Sequence, residues 1–267
     1  IFGSNNKKYK MNKQKICVVG NGLTGLTTAL ILGELNLDVD LIGKFKSGEQ
    51  HLDSRTTAIS PSNYEFLLKF LSKEDSKLFY HSKKIDLYHE TSNQFYKFMN
   101  FENNGKNLMH IAQNKRLIKA IFKKIKNKKK IRIINNQVIN IDDKNSTVFL
   151  KNKIIKYDNI FLCTGKKSLL VKKLISKRII GEDLNDIALT SVVKHNLNIK
   201  HAKQYFLREG PMAILPINKK EFSLVWSLKK NYKFDINKDY IIEKLKHILG
   251  SKNKINISHV DFFPNIF

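Results

Sequence analysis

The spacing of apolar residues divides this chain into a part that alternates strands with helices and a later part that is rich in strands. Residues 15–20, "KICVVG", form a short apolar run typical of a buried strand. The pattern then predicts a helix from about Thr24 to Leu35 and a second strand at 38–43, "DVDLIG". The chain therefore begins with a predicted βαβ unit.

Helical and strand periods continue through the rest of the chain. A helix over 113–125 carries Leu117, Ile121 and Ile125 on one apolar face. Another helix is predicted to open within 60–71, with Pro61 suited to its first turn and capping-box spacing at Ser62 and Glu65. From Asp186 onward, apolar runs recur at hairpin spacing, which predicts an antiparallel sheet. We therefore expect an α/β fold in which a Rossmann-like part is interleaved with a sheet-rich part.

The net charge of +26 is extreme, but its composition argues against a specific nucleic-acid partner. Only five of the 49 basic residues are arginine, whereas base and phosphate readers rely on arginine forks and stacked aromatics. The lysine excess is mixed with isoleucine and asparagine, as in a composition bias spread over solvated faces. Attraction to an anionic membrane surface remains an open alternative.

The cellular compartment and the presence of a metal site can be predicted from the cysteines, the histidines and the first ten residues. Cys17 and Cys163 each lie in an apolar run and are expected to be small core residues. The eight histidines show no ligand spacing, and no apolar stretch approaches the roughly 18 residues of a membrane span. Residues 1–10 contain neither an initiator Met nor a signal-peptide core, so we expect them to be upstream sequence or disordered, with Met11 as the start. These features favour a cytoplasmic protein without a metal site.

Gly20, Gly22 and Gly25 have G-x-G-x-x-G spacing between the first strand and the first helix. In that context the first glycine permits a tight turn, the second lets the backbone approach a pyrophosphate, and the third lets the helix pack on the strand. The helix start, including Leu23 and Thr24, then offers backbone N–H groups to the phosphates. The alternative is a glycine-rich turn that only packs tightly.

The end of the second strand departs from the usual dinucleotide site. A carboxylate normally accepts hydrogen bonds from the ribose there, but this chain has Gly43 followed by Lys44. Asp40 lies three residues earlier, on the opposite face by strand alternation. The missing contact weakens binding by about 1–3 kcal/mol.

Several stretches carry a resemblance to one family. They are "CVVGNGLTGLTTAL" at 17–30, "DSRTTAIS" at 53–60, "HIAQNKRLIKAI" at 110–121, and "EGPMAILPI" at 209–217 with "FSLVWSL" at 222–228. Together they resemble the FAD-dependent aromatic hydroxylases of ubiquinone biosynthesis, within the para-hydroxybenzoate hydroxylase-like flavin monooxygenases. The second and fourth stretches are the more specific ones.

The resemblance implies a domain arrangement. Residues 11–80 and 108–180 would form a discontinuous FAD-binding domain, and residues 81–107 and 181–267 a substrate-binding sheet domain. Residues 1–10 would precede both. The family's second flavin motif, a strand ending in Gly-Asp, has no counterpart after residue 230. The resemblance therefore implies a chain that is incomplete at its C-terminus.

The resemblance also assigns binding residues. Arg55 would contact FAD and Thr56 would hold its loop, although Arg55 alone also fits a surface arginine. Gln113, Asn114 and Arg116 would lie near the cofactor at a helix start, although they also fit ordinary capping and surface roles. Four residues would form a dry ceiling over the flavin ring: Pro211, Met212, Ile214 and Leu215. The alternative for these four residues is that they only form the core of a sheet.

The strand that ends at Thr164 and Gly165 would return to the nucleotide. Hydroxylases usually have Ala-Asp-Gly there, and this chain has Cys-Thr-Gly. The lost aspartate makes the use of FAD or a nicotinamide less secure in this copy.

The implied reaction uses NAD(P)H, FAD and O₂ to hydroxylate a polyprenylated phenol, and no side chain is assigned a catalytic role. Expected partners are the polyprenyl phenol and a membrane surface or a ubiquinone-biosynthesis complex, which would place the protein at the inner face of the cell membrane. Three alternatives remain. One is a non-catalytic or truncated remnant that binds FAD or ADP weakly, another is a basic nucleic-acid-binding protein, and the last is a dehydrogenase that uses only a nicotinamide.

Overall fold

The structure is a computed structural model that describes residues 14–35, 37–45, 54–92, 94–165, 168–175, 183–229, 236–250 and 254–266. The predicted upstream segment 1–10 lies outside these residues. The helices are α1 (Leu23–Glu34), α2 (Pro61–Leu68), α3 (Asn114–Lys126), α4 (Leu169–Ile175) and α5 (Lys238–Leu249), with a 3₁₀ helix at Lys73–Leu78.

The strands up to residue 162 are β1 (Lys15–Val19), β2 (Asp38–Gly43), β3 (Thr56–Ile59), β4 (Phe79–Ser82), β5 (Lys84–Thr91), β6 (Gln94–Glu102), β7 (Met109–Gln113), β8 (Ile131–Asn135), β9 (Val138–Asp142), β10 (Thr147–Leu150), β11 (Lys153–Lys156) and β12 (Asn159–Leu162). The later strands are β13 (Asp183–His195), β14 (Ala202–Leu207), β15 (Gly210–Asn218), β16 (Glu221–Lys229) and β17 (Ile255–Ile266).

The described residues form two compact units, each discontinuous in sequence. The first lies within Ile1–Gly48 and Ile121–Arg178, and the second within Glu49–Ala120 and Ile179–Phe267. The division follows packing alone and puts 49–80 and 108–120 with the second unit. The assignment of FAD and substrate to particular domains stays a prediction.

The first unit is built on a parallel sheet with strand order β12-β1-β2-β8. The predicted βαβ unit is present, with the helix starting one residue earlier than expected, at Leu23. β1 is buried almost throughout because it is the continuous apolar run of the sequence. A second, three-stranded sheet of order β11-β10-β9 supplies Val138, Val148 and Leu150 to the core of this unit.

A buried carboxylate ties β2 to β8 and to the segment between β11 and β12. Asp40 on β2 accepts two hydrogen bonds from the Arg132 guanidinium on β8, at 2.8 and 2.6 Å, and one from the Tyr157 hydroxyl at 2.8 Å. These bonds satisfy the carboxylate, which would otherwise be costly to bury. Burial and the neighbouring Asp40 raise the pKa of the Cys17 thiol to about 12, so Cys17 is an inert core thiol.

The second unit is built on the predicted antiparallel sheet, whose seven strands have the order β17-β13-β16-β15-β14-β5-β6. Neighbouring strands are antiparallel except β14 and β5, which are parallel. Side chains of its core, such as Leu189 and Trp226, share one cluster with Ile241 and Leu245 of α5. This amphipathic helix therefore buries one face of the sheet.

A smaller sheet of order β3-β7-β4 also belongs to the second unit. α2 leads out of this sheet, and its N-cap is Ser60, whose hydroxyl accepts from the Asn63 N–H at 3.4 Å. The predicted capping box at Ser62 and Glu65 is therefore wrong. Pro61 takes the first helical position, and the cap moves to the residue before it.

In the part of the chain that the structure describes, no helix is long and apolar enough to span a membrane. The same residues contain no cluster of three or more His, Cys, Asp or Glu side chains that could hold a metal ion.

Two histidines face each other across β4 and β7. The Nδ1 atoms of His81 and His110 are 2.6 Å apart, and the His110 ring stacks on Tyr64 with centroids separated by 3.7 Å. His110 is buried while His81 is exposed. Burial and the neighbouring His81 lower the pKa of His110 to about 4. The pair can share one proton, whereas two protons would place like charges in contact.

We expect this pair to make stability fall in mild acid. A histidine whose pKa is lower in the folded state than in the unfolded state contributes stability at neutral pH, and loses it as the pH falls from about 6.5 towards 4. The loss from His110 should be on the order of 2 kcal/mol. Urea unfolding at pH 7 and pH 5 measures it, and His110→Gln should flatten the difference. A variant that keeps the full pH dependence would contradict the assignment, and His89→Gln is the exposed control.

Candidate functional site

Close packing fixes the turn between β1 and α1. Gly20 has φ +126°, and a Cβ there would lie 2.3 Å from the Cys163 carbonyl oxygen. A Cβ on Gly25 would lie 2.1 Å from the Gly20 carbonyl oxygen. Neither position accepts a side chain without moving backbone, so α1 starts in contact with the carboxyl ends of β1 and β12.

Gly22 is not explained by packing. It is the N-cap of α1 with φ −78° and ψ −179°, a conformation open to any residue, and a Cβ there would meet no atom within 4 Å. Its lack of a side chain leaves open space in front of the helix. That space is what a bound group would need in order to approach the backbone.

The helix start beside this space is suited to an anion. No side chain caps α1, and its first turn contains no acidic residue. The N–H groups of Leu23, Thr24 and Gly25 have no partner within the helix, since the first helical bond runs from Leu26 N to Gly22 O at 3.0 Å. Unpaired N–H groups and the helix dipole together favour phosphate.

The end of β12 lies beside the same turn. A Cβ on Gly20 would be 3.2 Å from Thr164 N. The Thr164 hydroxyl is buried and has no hydrogen-bond partner among the residues that the structure describes. Gly165 has φ +77° and open space around it. The structure therefore brings Thr164 and Gly165 to the glycine turn, and the unpaired hydroxyl can bond to a ligand.

The ribose end of the turn has no carboxylate among the described residues. Gly43 ends β2, and Asp40 is held in the buried network with Arg132 and Tyr157. The expectation that Asp40 points away from this end is confirmed. Asn21, which sequence analysis did not single out, lies against Gly43. Its position inside the glycine motif was the only available signal.

A second group of predicted residues lies in the second unit, where the segment 54–57 runs along the seven-stranded sheet. The Ser54 hydroxyl donates to Asp261 Oδ2 at 2.5 Å and lies 2.6 Å from the Thr190 hydroxyl. The Ser54 N–H donates to the same Asp261 oxygen at 3.2 Å. Asp261 therefore anchors the start of the segment to β17, and Thr190 anchors it to β13.

The following residues are held from both sides. The Thr56 hydroxyl bonds to the Ser223 hydroxyl on β16 at 2.9 Å. The Thr57 hydroxyl donates to Asn114 Oδ1 at 2.6 Å, and the Asn114 N–H donates to the Arg55 carbonyl at 3.1 Å. Asn114 thus links the segment to the start of α3. These bonds fix the backbone on which Arg55 sits.

Arg55 and Arg116 are both exposed, but only Arg55 belongs to this cluster. The Arg55 guanidinium lies over the Phe263 ring, 4.8 Å from its centroid. Arg116 makes no hydrogen bond or ion pair with another residue that the structure describes. Burial would raise the pKa of the Asp261 carboxyl, but the bonds from Ser54 and His259 hold it below its ordinary value. The anchor is therefore a charged acceptor.

Gln113 adds an unpaired group to the cluster. It is 3 % exposed, it pairs in register with Thr56, and its Oε1 has no partner among the described residues. Buried amide oxygens are normally bonded, so this atom marks a place where a ligand can donate.

The four residues predicted to form a ceiling lie on two faces of β15. Met212 and Ile214 are fully buried in the core that includes Trp226 and α5. Pro211 and Leu215 lie on the opposite face because strand side chains alternate. Only those two can line a pocket outside the core.

The fold has many solved counterparts. It is similar to p-nitrophenol 4-monooxygenase from Pseudomonas putida DLL-E4, with 15% identity, a TM-score of 0.70, and coverage of 94% of this chain and 67% of that one. It is also similar to a geranylgeranyl bacteriochlorophyll reductase-like protein from Thermoplasma acidophilum, with 13% identity, a TM-score of 0.72, and coverage of 94% and 66%.

A third similar structure is CtdE in complex with FAD and a substrate, with 10% identity, a TM-score of 0.73, and coverage of 95% of this chain and 69% of that one. This chain thus spans about two thirds of the length of each of the three proteins. The predicted α/β fold, a Rossmann-like part interleaved with an antiparallel sheet, is confirmed.

No curated protein matches the chain in sequence. A family comparison matches residues 14–214, which include the glycine turn, the 54–57 segment and most of β15. This chain belongs to the pyridine nucleotide-disulphide oxidoreductase family.

Proposed function

We propose that this chain is the FAD-binding part of a flavin-dependent monooxygenase that hydroxylates a polyprenylated phenol in ubiquinone biosynthesis. The single observation that carries FAD binding is the open space at Gly22 in front of an uncapped helix. The family membership and the fold shared with flavin monooxygenases support the reaction class. The proposed substrate rests on the resemblance of the "DSRTTAIS" and "GPMAILPI" stretches to the ubiquinone-biosynthesis hydroxylases.

The residues present in the first unit fit the diphosphate of FAD. Its diphosphate would be held by the N–H groups of Leu23, Thr24 and Gly25, and the Thr164 hydroxyl would complete its hydrogen bonds. In the second unit, Arg55 and the unpaired Gln113 Oε1 are the polar groups proposed for the flavin. Packing alone accounts for Gly20 and Gly25, but not for Gly22, Thr164 or Gln113.

Bound FAD would supply the redox chemistry, taking electrons from NAD(P)H and passing them to O₂ for hydroxylation of an electron-rich ring. The chain's own residues bind, orient and exclude water. Pro211 and Leu215 offer apolar side chains on the face of β15 opposite the core. The anchored 54–57 segment presents Arg55 in a fixed position. Exclusion of water by such apolar surface protects a reactive cofactor state.

A polyprenylated phenol resides in a membrane, so the proposal includes an anionic bilayer as partner, at the inner face of the cell membrane. The net charge of +26 supports it. β6 is the edge strand of the seven-stranded sheet and exposes Tyr96, Phe98 and Phe101, each about half accessible. Exposed aromatics next to lysines are suited to a membrane interface.

A remnant that binds FAD or ADP weakly without catalysis is the second candidate. The absence of a carboxylate at Gly43 and the threonine at position 164 favour it. The two candidates share nucleotide binding and differ in turnover. NAD(P)H oxidation that depends on FAD and a phenol supports the enzyme, and tight FAD binding without turnover supports the remnant.

Two glycine variants test the nucleotide site. Gly22→Ala meets no atom and should leave the unfolding midpoint unchanged, but it should weaken FAD binding at least about tenfold because its methyl group lies where the diphosphate approaches. Gly25→Ala should lower stability by more than about 2 kcal/mol because its Cβ meets the Gly20 carbonyl oxygen. Flavin fluorescence quenching and thermal unfolding measure the two effects.

The FAD-binding proposal fails if the wild-type chain does not quench FAD fluorescence at millimolar concentrations. It also fails if Gly22→Ala binds FAD as tightly as the wild type does.

The Asp261 anchor gives a prediction for the second unit. Asp261→Asn should lower the free energy of unfolding by about 1–2 kcal/mol, because the amide is a weaker acceptor for the Ser54 hydroxyl and N–H. It should also weaken FAD binding several-fold while ADP binding stays unchanged, since Arg55 is proposed to contact the flavin. Chemical denaturation and the two titrations measure this.

Glu243→Gln, at an exposed position of α5, is the matched control for Asp261→Asn. Equal weakening of FAD and ADP by Asp261→Asn would mean that the anchor has only a structural role.

Vesicle binding tests the membrane partner. The chain should co-sediment with vesicles that contain phosphatidylglycerol, less so as salt rises, and only weakly with neutral vesicles. Replacing Phe98 and Phe101 by Ser should reduce the bound fraction several-fold, whereas Phe66→Ser, also at an exposed aromatic, should not. Equal vesicle binding by all variants would contradict the proposal that the aromatic residues of β6 contact the membrane.

A further inference from the structure

The Asn21 side chain fills the place of a side chain on Gly43. A Cβ built on Gly43 would lie 2.9 Å from Asn21 Cβ and 3.2 Å from Asn21 Cγ. Asn21 comes from the β1–α1 turn, and Gly43 is the last residue of β2. No larger residue fits at position 43 while Asn21 keeps this position.

One hydrogen bond fixes the orientation of the amide. Asn21 Nδ2 donates to the Lys44 carbonyl at 2.7 Å. A carbonyl oxygen only accepts, so the NH₂ group must face Lys44 and Oδ1 must face away from it. No hydrogen bond to Oδ1 from another described residue occurs, and Asn21 is partly exposed. Oδ1 is therefore an oriented acceptor that a ligand can reach.

Dinucleotide sites normally need an acceptor at this end of β2. A carboxylate there bonds the ribose hydroxyls of the adenosine. Asp40 cannot supply it because Arg132 and Tyr157 occupy its oxygens. Asn135, at the end of the adjacent β8, already uses its Oδ1 to accept from the Phe45 N–H at 2.9 Å. Among these described residues near the end of β2, Asn21 Oδ1 is thus the side-chain acceptor that remains at Gly43.

We propose that Asn21 replaces the missing acid and accepts a ribose hydroxyl of the adenosine moiety through Oδ1. This rests on the proposed nucleotide site. Asn21 and Gly43 then act as a pair, in which the amide side chain from the turn occupies the space of a side chain from the strand. The neutral acceptor makes a weaker bond than a carboxylate.

Calorimetric titration with ADP and with 2′,3′-dideoxy-ADP tests the contact, because the second ligand lacks both ribose hydroxyls. The wild-type chain should bind ADP about fivefold to tenfold more tightly than the dideoxy compound. Asn21→Ala should bind the two ligands equally and should keep the wild-type affinity for the dideoxy compound. Asn136→Ala is the matched control and should keep the preference, because the Asn136 side-chain amide accepts from the Gln137 N–H next to it.

The possible failures are distinct. Equal binding of both ligands by the wild-type chain overturns the Asn21 contact alone. Equal weakening of both by Asn21→Ala assigns Asn21 a purely structural role in the turn, which also overturns it. If neither ligand binds the wild-type chain, the proposed nucleotide site fails together with the contact.

A double variant at positions 21 and 43 tests this pairing directly. Gly43→Glu alone should bind ADP poorly, since its side chain meets Asn21. The double variant Asn21→Gly with Gly43→Glu should recover ADP binding and prefer ADP over the dideoxy compound more strongly than the wild type does, because a charged acceptor has returned. A double variant that binds no better than Gly43→Glu alone would show that the two positions do not exchange roles.

Discussion

The contact between Gly25 and the Gly20 carbonyl is the constraint on which the first unit depends. A Cβ 2.1 Å from that oxygen has no room, so α1 can approach the sheet only where both residues lack side chains. This approach sets the first turn of α1 against the carboxyl ends of β1 and β12. The same geometry that packs the helix therefore also aims its unpaired N–H groups at one place.

In the second unit, side-chain contacts hold the segment 54–57 in place. The last two residues of this segment begin β3, and each of its four consecutive residues is tied to a strand or to α3. Asp261 is the strongest of these ties because it is charged and accepts from both the hydroxyl and the N–H of Ser54. A fixed backbone loses less entropy when a ligand binds, which is how such a segment contributes to affinity.

Periodicity predicted the elements well because it reports burial directly. Leu117, Ile121 and Ile125 are all buried on α3, as their spacing required. The capping box failed because Ser60 and Ser62 both fit a cap, and only the backbone distinguishes them. The sequence alone could have shown that the four predicted ceiling residues lie on two faces, since Met212 and Ile214 alternate with Pro211 and Leu215 along one strand. Ser54 and Asp261 could not have been paired, because they are 207 positions apart.

The glycine motif shows why a residue missing from a pattern does not imply a missing function. Considered in the sequence alone, Gly43 indicates that the acceptor for the ribose has been lost. This loss is a sequence argument for a remnant that binds the nucleotide weakly. In the structure, the Asn21 side chain fills the space that a side chain on Gly43 would occupy, and the Lys44 carbonyl orients its amide. A glycine at the strand end is then a requirement of the asparagine in the turn. The two positions are coupled by sterics, and a substitution at either one must be judged against the side chain at the other.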